Sequence, residues 1–305
     1  MNNHPLIGDL QLFCLVVAKR SFAATARELG VSHALISKRI ALLEANLDVR
    51  LLHRTTRTVS VTEQGEVVHQ WALRILEDAE QMAEAVSNTR TEARGLLRLC
   101  SSSGFGRNRV APALSAMASR YPALEIEFEL LDRPVDLVGE GFHLDIRVGD
   151  VREPNLIAKR IASNRRVLCA SPSYLARKGI PSSLSELTDH RCIVIRERDF
   201  HFGQWVLNGP NGLESIRISG SLSANNGEIV HQWAMAGHGI ILRSLWDVGP
   251  SIERGDLVHL LPAYYQDAHV WAVSPARFST SAKVRTCVAF LEDFFNSSDS
   301  PERSR

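Results

Sequence analysis

Residues Ser21–Glu44, SFAATARELGVSHALISKRIALLE, constrain this chain more than any other stretch, because their spacing admits two short helices joined by a tight turn. Ser21 can accept from the N–H groups one turn on, and Gly30 can take the left-handed stop after Leu29. Val31 and Ser32 complete the turn, and Ser32 caps the second helix. Ile36, Ile40, Leu43 and Leu47 recur at steps of four, three and four, which makes them its buried stripe. The opposite face carries His33, Ala34, Ser37, Lys38 and Ala41. These short, polar or cationic side chains suit close approach to phosphates and base edges in a major groove. An ordinary surface helix also exposes Ser, Lys and Arg, so the pair alone does not decide for DNA.

The next segment adds to it. LLHRTTRTVSVT, Leu51 to Thr62, has the β-branched composition of a two-stranded hairpin turning near Thr56 and Arg57. As a wing it would set Arg54 and Arg57 beside the second helix, where guanidinium groups clasp phosphate or enter the minor groove. Upstream, DLQLFCLVVAKR supplies an apolar supporting helix. Residues 1–61 hold eight Lys or Arg against four Asp or Glu, a net of +4 that the whole-chain charge of +1 conceals. Nucleic-acid contact is therefore expected in the N-terminal module alone.

The chain's 305 residues, 45% hydrophobic, suit two or three domains with substantial cores. The N-terminus lacks the basic-then-apolar order of a signal peptide, and no apolar run approaches the roughly 18 residues of a membrane span. These features predict a cytoplasmic protein with no membrane partner. Cys14, Cys100, Cys169, Cys192 and Cys287 are scattered without CxxC spacing, which fits a reducing compartment and argues against disulfides or zinc. His69, His231 and His238 form no ligand constellation, so no metal and no cofactor is expected.

From Thr62 the pattern becomes a long helix with Thr62 as N-cap and Glu63 and Glu66 favouring its dipole. Val68, Ala72, Ile75, Ala79, Met82 and Val86 follow at steps of four, three, four, three and four. Such a stripe is commonly packed inside its own domain. Because this helix leaves a compact module and ends at polar NTRTEARG, a dimer seam is expected instead. Pairing also suits DNA reading, since two modules reach two half-sites.

After Arg94–Gly95 strands alternate with helices, the signature of an α/β fold with mainly parallel sheets. LLRLC, EIEFELL and LDIRVG form a first set, and RVLCAS, CIVI, IRISGSL and GIILRS a second. HVWAVS and the amphipathic KVRTCVAFLEDFF then return to the first half. Crossings near Arg165 and His269 would leave a cleft between two halves, a common ligand site.

SFAATARELGVS, SKRIALLE, LLHRT and VTEQGE resemble the DNA-binding and linker part of the LysR-type transcriptional regulators, and the resemblance covers nearly the whole chain. It implies a winged helix-turn-helix (1–61), a linker dimerisation helix (62–91) and an α/β effector domain (92–305). The effector domain would have two Rossmann-like lobes of the periplasmic-binding-protein type, 95–165 with 270–297 and 166–269. The implied function is sequence-specific promoter binding by a homodimer or homotetramer, modulated by a small molecule in the cleft, with RNA polymerase as a further candidate partner. GFGRNRVAPAL, HLDIRVGD, IRERDF, NNGEIVHQWAMAGHGIILRSLWDV and HVWAV are most similar to regulators of tartrate and D-malate catabolic genes, which implies a hydroxy- or dicarboxylic acid effector.

The residues can be read for that acid directly. Ser101, Ser102 and Ser103 with Gly104 lie between a strand and a helix, and Ser223, Asn225 and Asn226 with Gly227 hold the equivalent place in the second half. Each turn offers polar groups beside a helix N-terminus, where a carboxylate is favoured; equally, each can simply cap its helix. Arg147, Arg196 and Arg243 are candidate carboxylate partners, with internal ion pairs as the competing reading. Phe105 lines the cleft or packs in the core. In the recognition helix the family's frequent Gln-Pro after the capping serine is replaced by His33-Ala34, which puts the operator half-site in doubt. Two other classes compete: a redox-responsive regulator using Cys169 and Cys192, and an α/β enzyme, for which the chain lacks a GxSxG elbow, P-loop, HExxH or Rossmann glycine run.

Overall fold

The computed structural model describes residues 7–54, 59–86, 93–151, 153–196, 203–279 and 281–297. The chain divides into two compact units, Met1–Arg90 and Thr91–Arg305. In the first, α1 (Ile7–Lys19), α2 (Phe22–Leu29) and α3 (His33–Leu47) precede a hairpin of β1 (Leu52–Arg54) and β2 (Val59–Val61), and α4 (Glu63–Val86) follows. Ser21, in an extended conformation, accepts from the Ala24 amide through Oγ at 3.2 Å and starts α2. Gly30, at φ 66°, ends it in the left-handed region that a side chain would strain. Ser32 then caps α3 by accepting from the Leu35 amide at 3.2 Å.

The apolar face of each helix closes on one core. Leu10, Phe13 and Val16 of α1 meet Phe22 and Ala26 of α2, Ile36, Ile40 and Leu43 of α3, and Leu51 and Leu52 beside the hairpin. Full burial of each large aliphatic or aromatic side chain stabilises by about 1.5–3 kcal/mol, so this small module is held chiefly by these few residues. Val68, Ala72 and Leu76 of α4 join the same core.

The second unit has two lobes. The first begins with β3 (Gly95–Ser101) and a continuous helical run: α5 (Ser103–Phe105), a π turn (Gly106–Val110) and α6 (Ala111–Arg120). It continues through β4 (Leu124–Leu130), β5 (Leu144–Val148) and β6 (Leu156–Ala162). The second lobe holds β7 (Arg165–Ala170), α7 (Pro172–Lys178), β8 (Val194–Ile195), β9 (Gln204–Gly209), β10 (Gly212–Arg217) and β11 (Ser223–Ala224). It ends with α8 (Gly227–Met235), β12 (Ile241–Ser244), α9 (Leu245–Glu253) and β13 (Val258–Asp267). The chain then returns as β14 (Val270–Pro275) and α10 (Ala282–Ser297), completing the first sheet in the order β4-β3-β5-β14-β6.

The expected parallel character holds for only part of this unit. β3 pairs in parallel with β4 and β5, and β8 with β11, but β14 runs antiparallel to both its neighbours. The second five-stranded sheet, β10-β9-β13-β7-β12, is antiparallel throughout. Its β9–β10 hairpin and the ten-residue β13 replace the crossover helices that parallel neighbours would need. IRISGSL is not one strand: β10 stops at Arg217, and a new edge starts at Ser223.

Both crossings between lobes are tied at one point. Asn164 donates through Nδ2 to the Ala268 carbonyl at 2.8 Å and to Ser244 Oγ at 3.2 Å, and its own carbonyl accepts from the Ala268 amide at 3.0 Å.

Candidate DNA-reading helix and anion cleft

On α3, His33, Ala34, Lys38 and Ala41 are exposed and Ser37 is partly so, while Ser32 stands at the exposed N-terminus of the helix. Ser21 lies at the start of α2 with its hydroxyl committed to the cap. The His33 ring rests against Phe22, with centroids 5.7 Å apart, so α2 limits which edge of the imidazole faces outward. Arg54 ends β1, and Arg57 lies outside the described residues.

Three contacts set this face, and sequence reasoning passed over the first two. Asp9 of α1, buried, pairs with Arg39 of α3. Glu44 near the end of α3 accepts from the amides of Leu51 and Leu52 at 2.9 and 3.2 Å, clamping the hairpin to the recognition helix. Thr62 donates to the Arg50 carbonyl at 2.6 Å and accepts from the Gly65 amide at 2.9 Å, joining hairpin to α4. The third follows the expected cap, a Thr before a glutamate-rich helix start; for the first, the only signal was a lone acidic residue in the helix preceding an arginine-bearing one.

α4 divides the expected seam. Ala72, 1% exposed, and half-buried Val68 turn into the core of their own module, because α1 packs along that side of the helix. Ile75, at 40% exposure, and Met82, at 67%, remain outward, Ala79 is half-buried, and the Val86 side chain lies outside the described residues. Val67 and Trp71, the latter 58% exposed, take the outward positions that Val68 and Ala72 leave. The resulting outer ridge runs Val67, Trp71, Ile75 and Met82.

In the second unit the two polar turns meet across the lobes. Asp132, two residues beyond β4, accepts at Oδ1 from the Ser103 amide and at Oδ2 from Ser103 Oγ, both at 2.8 Å. Its Oδ2 also accepts from Asn226 Nδ2 of the second lobe at 2.7 Å. Asn226 is oriented by its other end, since Oδ1 caps α8 by accepting from the amides of Glu228 and Ile229 at 3.0 and 3.2 Å. Arg107 and Glu228 form an ion pair between the lobes, and the Phe105 and Trp246 rings meet edge-on with centroids 5.1 Å apart.

Several expected ligand residues are committed elsewhere. Ser101 is fully buried and donates to the Ile146 carbonyl at 2.7 Å, a bond that ties β3 to β5. Phe105 packs in the first lobe's core against Trp246 and Phe295. Arg147 donates to Asp145 at 3.1 Å and to Glu153 at 2.7 Å; burial works against its charge, yet the two carboxylates hold its pKa above the ordinary guanidinium value. Arg243 donates from Nε to Asp247 at 2.8 Å in a pair buried on both sides. Gly227 makes room for it, since a Cβ there would stand 2.2 Å from the guanidinium. Ser102 is partly buried at the N-cap of α5 without a capping bond from its side chain. Ser223 is partly buried in β11, while Asn225 and Arg196 are exposed, Arg196 using its amide to pair with the Ala224 carbonyl. Asn226, rather than Asn225, reaches the other lobe.

Asp247 also meets His231 Nδ1 at 3.2 Å, and His231 Nε2 meets Ser251 Oγ at 3.2 Å. This serine, histidine and aspartate order has the outline of a nucleophilic relay, but Ser251 is buried within α9, where no substrate can reach its hydroxyl. Burial alone would raise the Asp247 pKa; His231 and Arg243 together hold it below the ordinary carboxylate value. The Cys169 and Cys192 thiols are buried, and desolvation pushes each up to about 12. Neither carries the exposed thiolate that a peroxide sensor requires.

Residues 7–66 match the bacterial regulatory helix-turn-helix protein, lysR family, and residues 90–296 match the LysR substrate binding domain. The chain belongs to the LysR family of transcriptional regulators. It is 55% identical to the Escherichia coli K12 HTH-type transcriptional regulator DmlR, over 97% of this chain and 96% of that protein. Identity to the E. coli K12 HTH-type transcriptional activator TtdR is 43%, over 95% of this chain and 94% of that protein. The full-length structure of the Vibrio cholerae virulence activator AphB matches with a TM-score of 0.57 at 28% identity, covering 94% of this chain and 98% of that one. These likenesses place the LysR-type chain in the subgroup of DmlR and TtdR, as a DNA-binding transcriptional regulator and not an enzyme. Among the described residues no helix is long and apolar enough to cross a membrane.

Proposed function

We propose that this LysR-type protein reads promoter DNA in the cytoplasm as a dimer or tetramer, and that a small hydroxy- or dicarboxylic acid between the two lobes sets how it holds the promoter. The observation that carries the effector reading is the donor set at the lobe junction. The Ser103 amide, Ser103 Oγ and Asn226 Nδ2 converge on a single carboxylate, from two lobes, at the C-terminal ends of parallel strands. Crevices at that end of an α/β sheet are where ligands commonly bind. The likeness to DmlR and TtdR supports an acid of the malate and tartrate type.

DNA reading is assigned to His33, Ala34, Ser37 and Lys38 of α3, with Arg54 and Arg57 of the hairpin on phosphate or minor groove. Self-association is assigned to the outer ridge of α4, and RNA polymerase is a further partner at the promoter. Thermal-shift titration of the full chain with D-malate, L- and meso-tartrate and succinate, followed by DNase footprinting, tests the reading. A binder at a hundredfold its Kd adds about 2.7 kcal/mol of stability. Absence of any response to these diacids removes the effector assignment and leaves the DNA-binding regulator intact.

A further inference from the structure

We infer that Asp132 is an internal ligand of the cleft: its carboxylate holds the donors that an effector carboxylate takes over, so effector and Asp132 compete for one site. This rests on the effector reading above. Asp132 and Ser103 belong to the first lobe and Asn226 to the second, so a single side chain closes the gap through three hydrogen bonds of 2.7–2.8 Å.

The geometry is that of a ligand carboxylate. One oxygen takes a helix N–H and the other takes a hydroxyl and a carboxamide, all neutral donors. Asn226 cannot turn away without abandoning the cap of α8, so its amino group stays aimed across the cleft. The cations nearby are already engaged: Arg133 pairs with Glu140 and Arg107 with Glu228. Among the described residues no Lys or Arg side chain pairs with Asp132. An entering acid therefore exchanges like for like in hydrogen bonds, three for three. What it meets in addition is the charge of the carboxylate it displaces, which lowers its affinity. Once displaced, Asp132 no longer links β4 to α8, and the connection between lobes passes to the bound acid.

Isothermal titration of full-length wild type, Asp132→Asn and Asp132→Ala with D-malate, L-tartrate and succinate tests the competition. Both variants are expected to bind the accepted diacid about tenfold more tightly than wild type, within the usual range of site-to-site coupling. Adding Ser103→Ala to Asp132→Asn should cancel the gain, because it removes a donor the acid inherits. Asn keeps the shape of the residue, so it carries the test if the alanine variant does not fold. Equal or weaker binding by Asp132→Asn overturns the inference while the effector reading stands. A loss confined to malate and tartrate, with succinate unchanged, makes Asp132 an acceptor for the effector hydroxyl and likewise overturns it. Failure of every diacid to bind wild type and variants alike removes both.

Discussion

His33 meets Phe22 through its ring, which restrains the imidazole before any base arrives. If it reads a base edge, His33→Ala should change the preferred operator base, with about 1–3 kcal/mol of discrimination lost at one position. Equal weakening on every operator variant, in a gel-shift series, would count against that role. Lys38→Ala should instead weaken all sequences uniformly and reduce the slope of log affinity against log salt by about 1. In the second unit, Arg243 and Asp247 form a buried pair. Removing Asp247 takes a hydrogen-bonded carboxylate from a buried guanidinium, so Asp247→Ala should destabilise by about 3–5 kcal/mol in urea unfolding. The folded pKa of Asp247 is depressed, so its contribution is fully present above the unfolded value of 3.8 and is lost as pH falls below it. Wild type should therefore lose stability relative to Asp247→Asn on acidification below about pH 4, as read by thermal melts.

At the scale of elements, α4 shows what periodicity can and cannot reveal. The apolar spacing made a stripe legible, but two adjacent stripes share Ile75, one through Val68 and Ala72 and one through Val67 and Trp71. Which one faces out depends on where α1 lies, and that is a long-range contact. Trp71→Asp with Met82→Asp should shift the protein toward monomer in sedimentation while far-UV circular dichroism stays unchanged. Ala72→Leu should leave association alone and cost about 1–3 kcal/mol through overpacking, measured in urea. Helix caps were far more legible. Ser21, Ser32 and Thr62 announce their helices because a cap needs only a side-chain oxygen and the next turn of backbone.

Across the whole chain, alternation of apolar segments was enough to indicate an α/β effector unit, and LysR-family membership agrees with that class. Strand direction was not legible. The second sheet is antiparallel because β7 pairs with β12 and β13, partners some seventy to a hundred residues away that no local pattern names. The candidate site followed the same division. Ser103 and Asn226 were visible as polar turns before helices, while Asp132, in a loop after an edge strand, gave no sign that it would join them.

The sequence by itself determined the elements and their ends: the helix-turn-helix caps, the amphipathic stripes, the net positive charge of residues 1–61 and the family. Local backbone chemistry and side-chain periodicity act within a few residues, so one chain suffices to read them. Tertiary structure alone decided partners. It sent Arg147 and Arg243 to carboxylates of their own lobes, Ser101 into the sheet and Ala72 into the core, and it set Asp132 between the lobes. A buried charge takes whichever opposite group folding brings within reach, and only the packed chain specifies that distance.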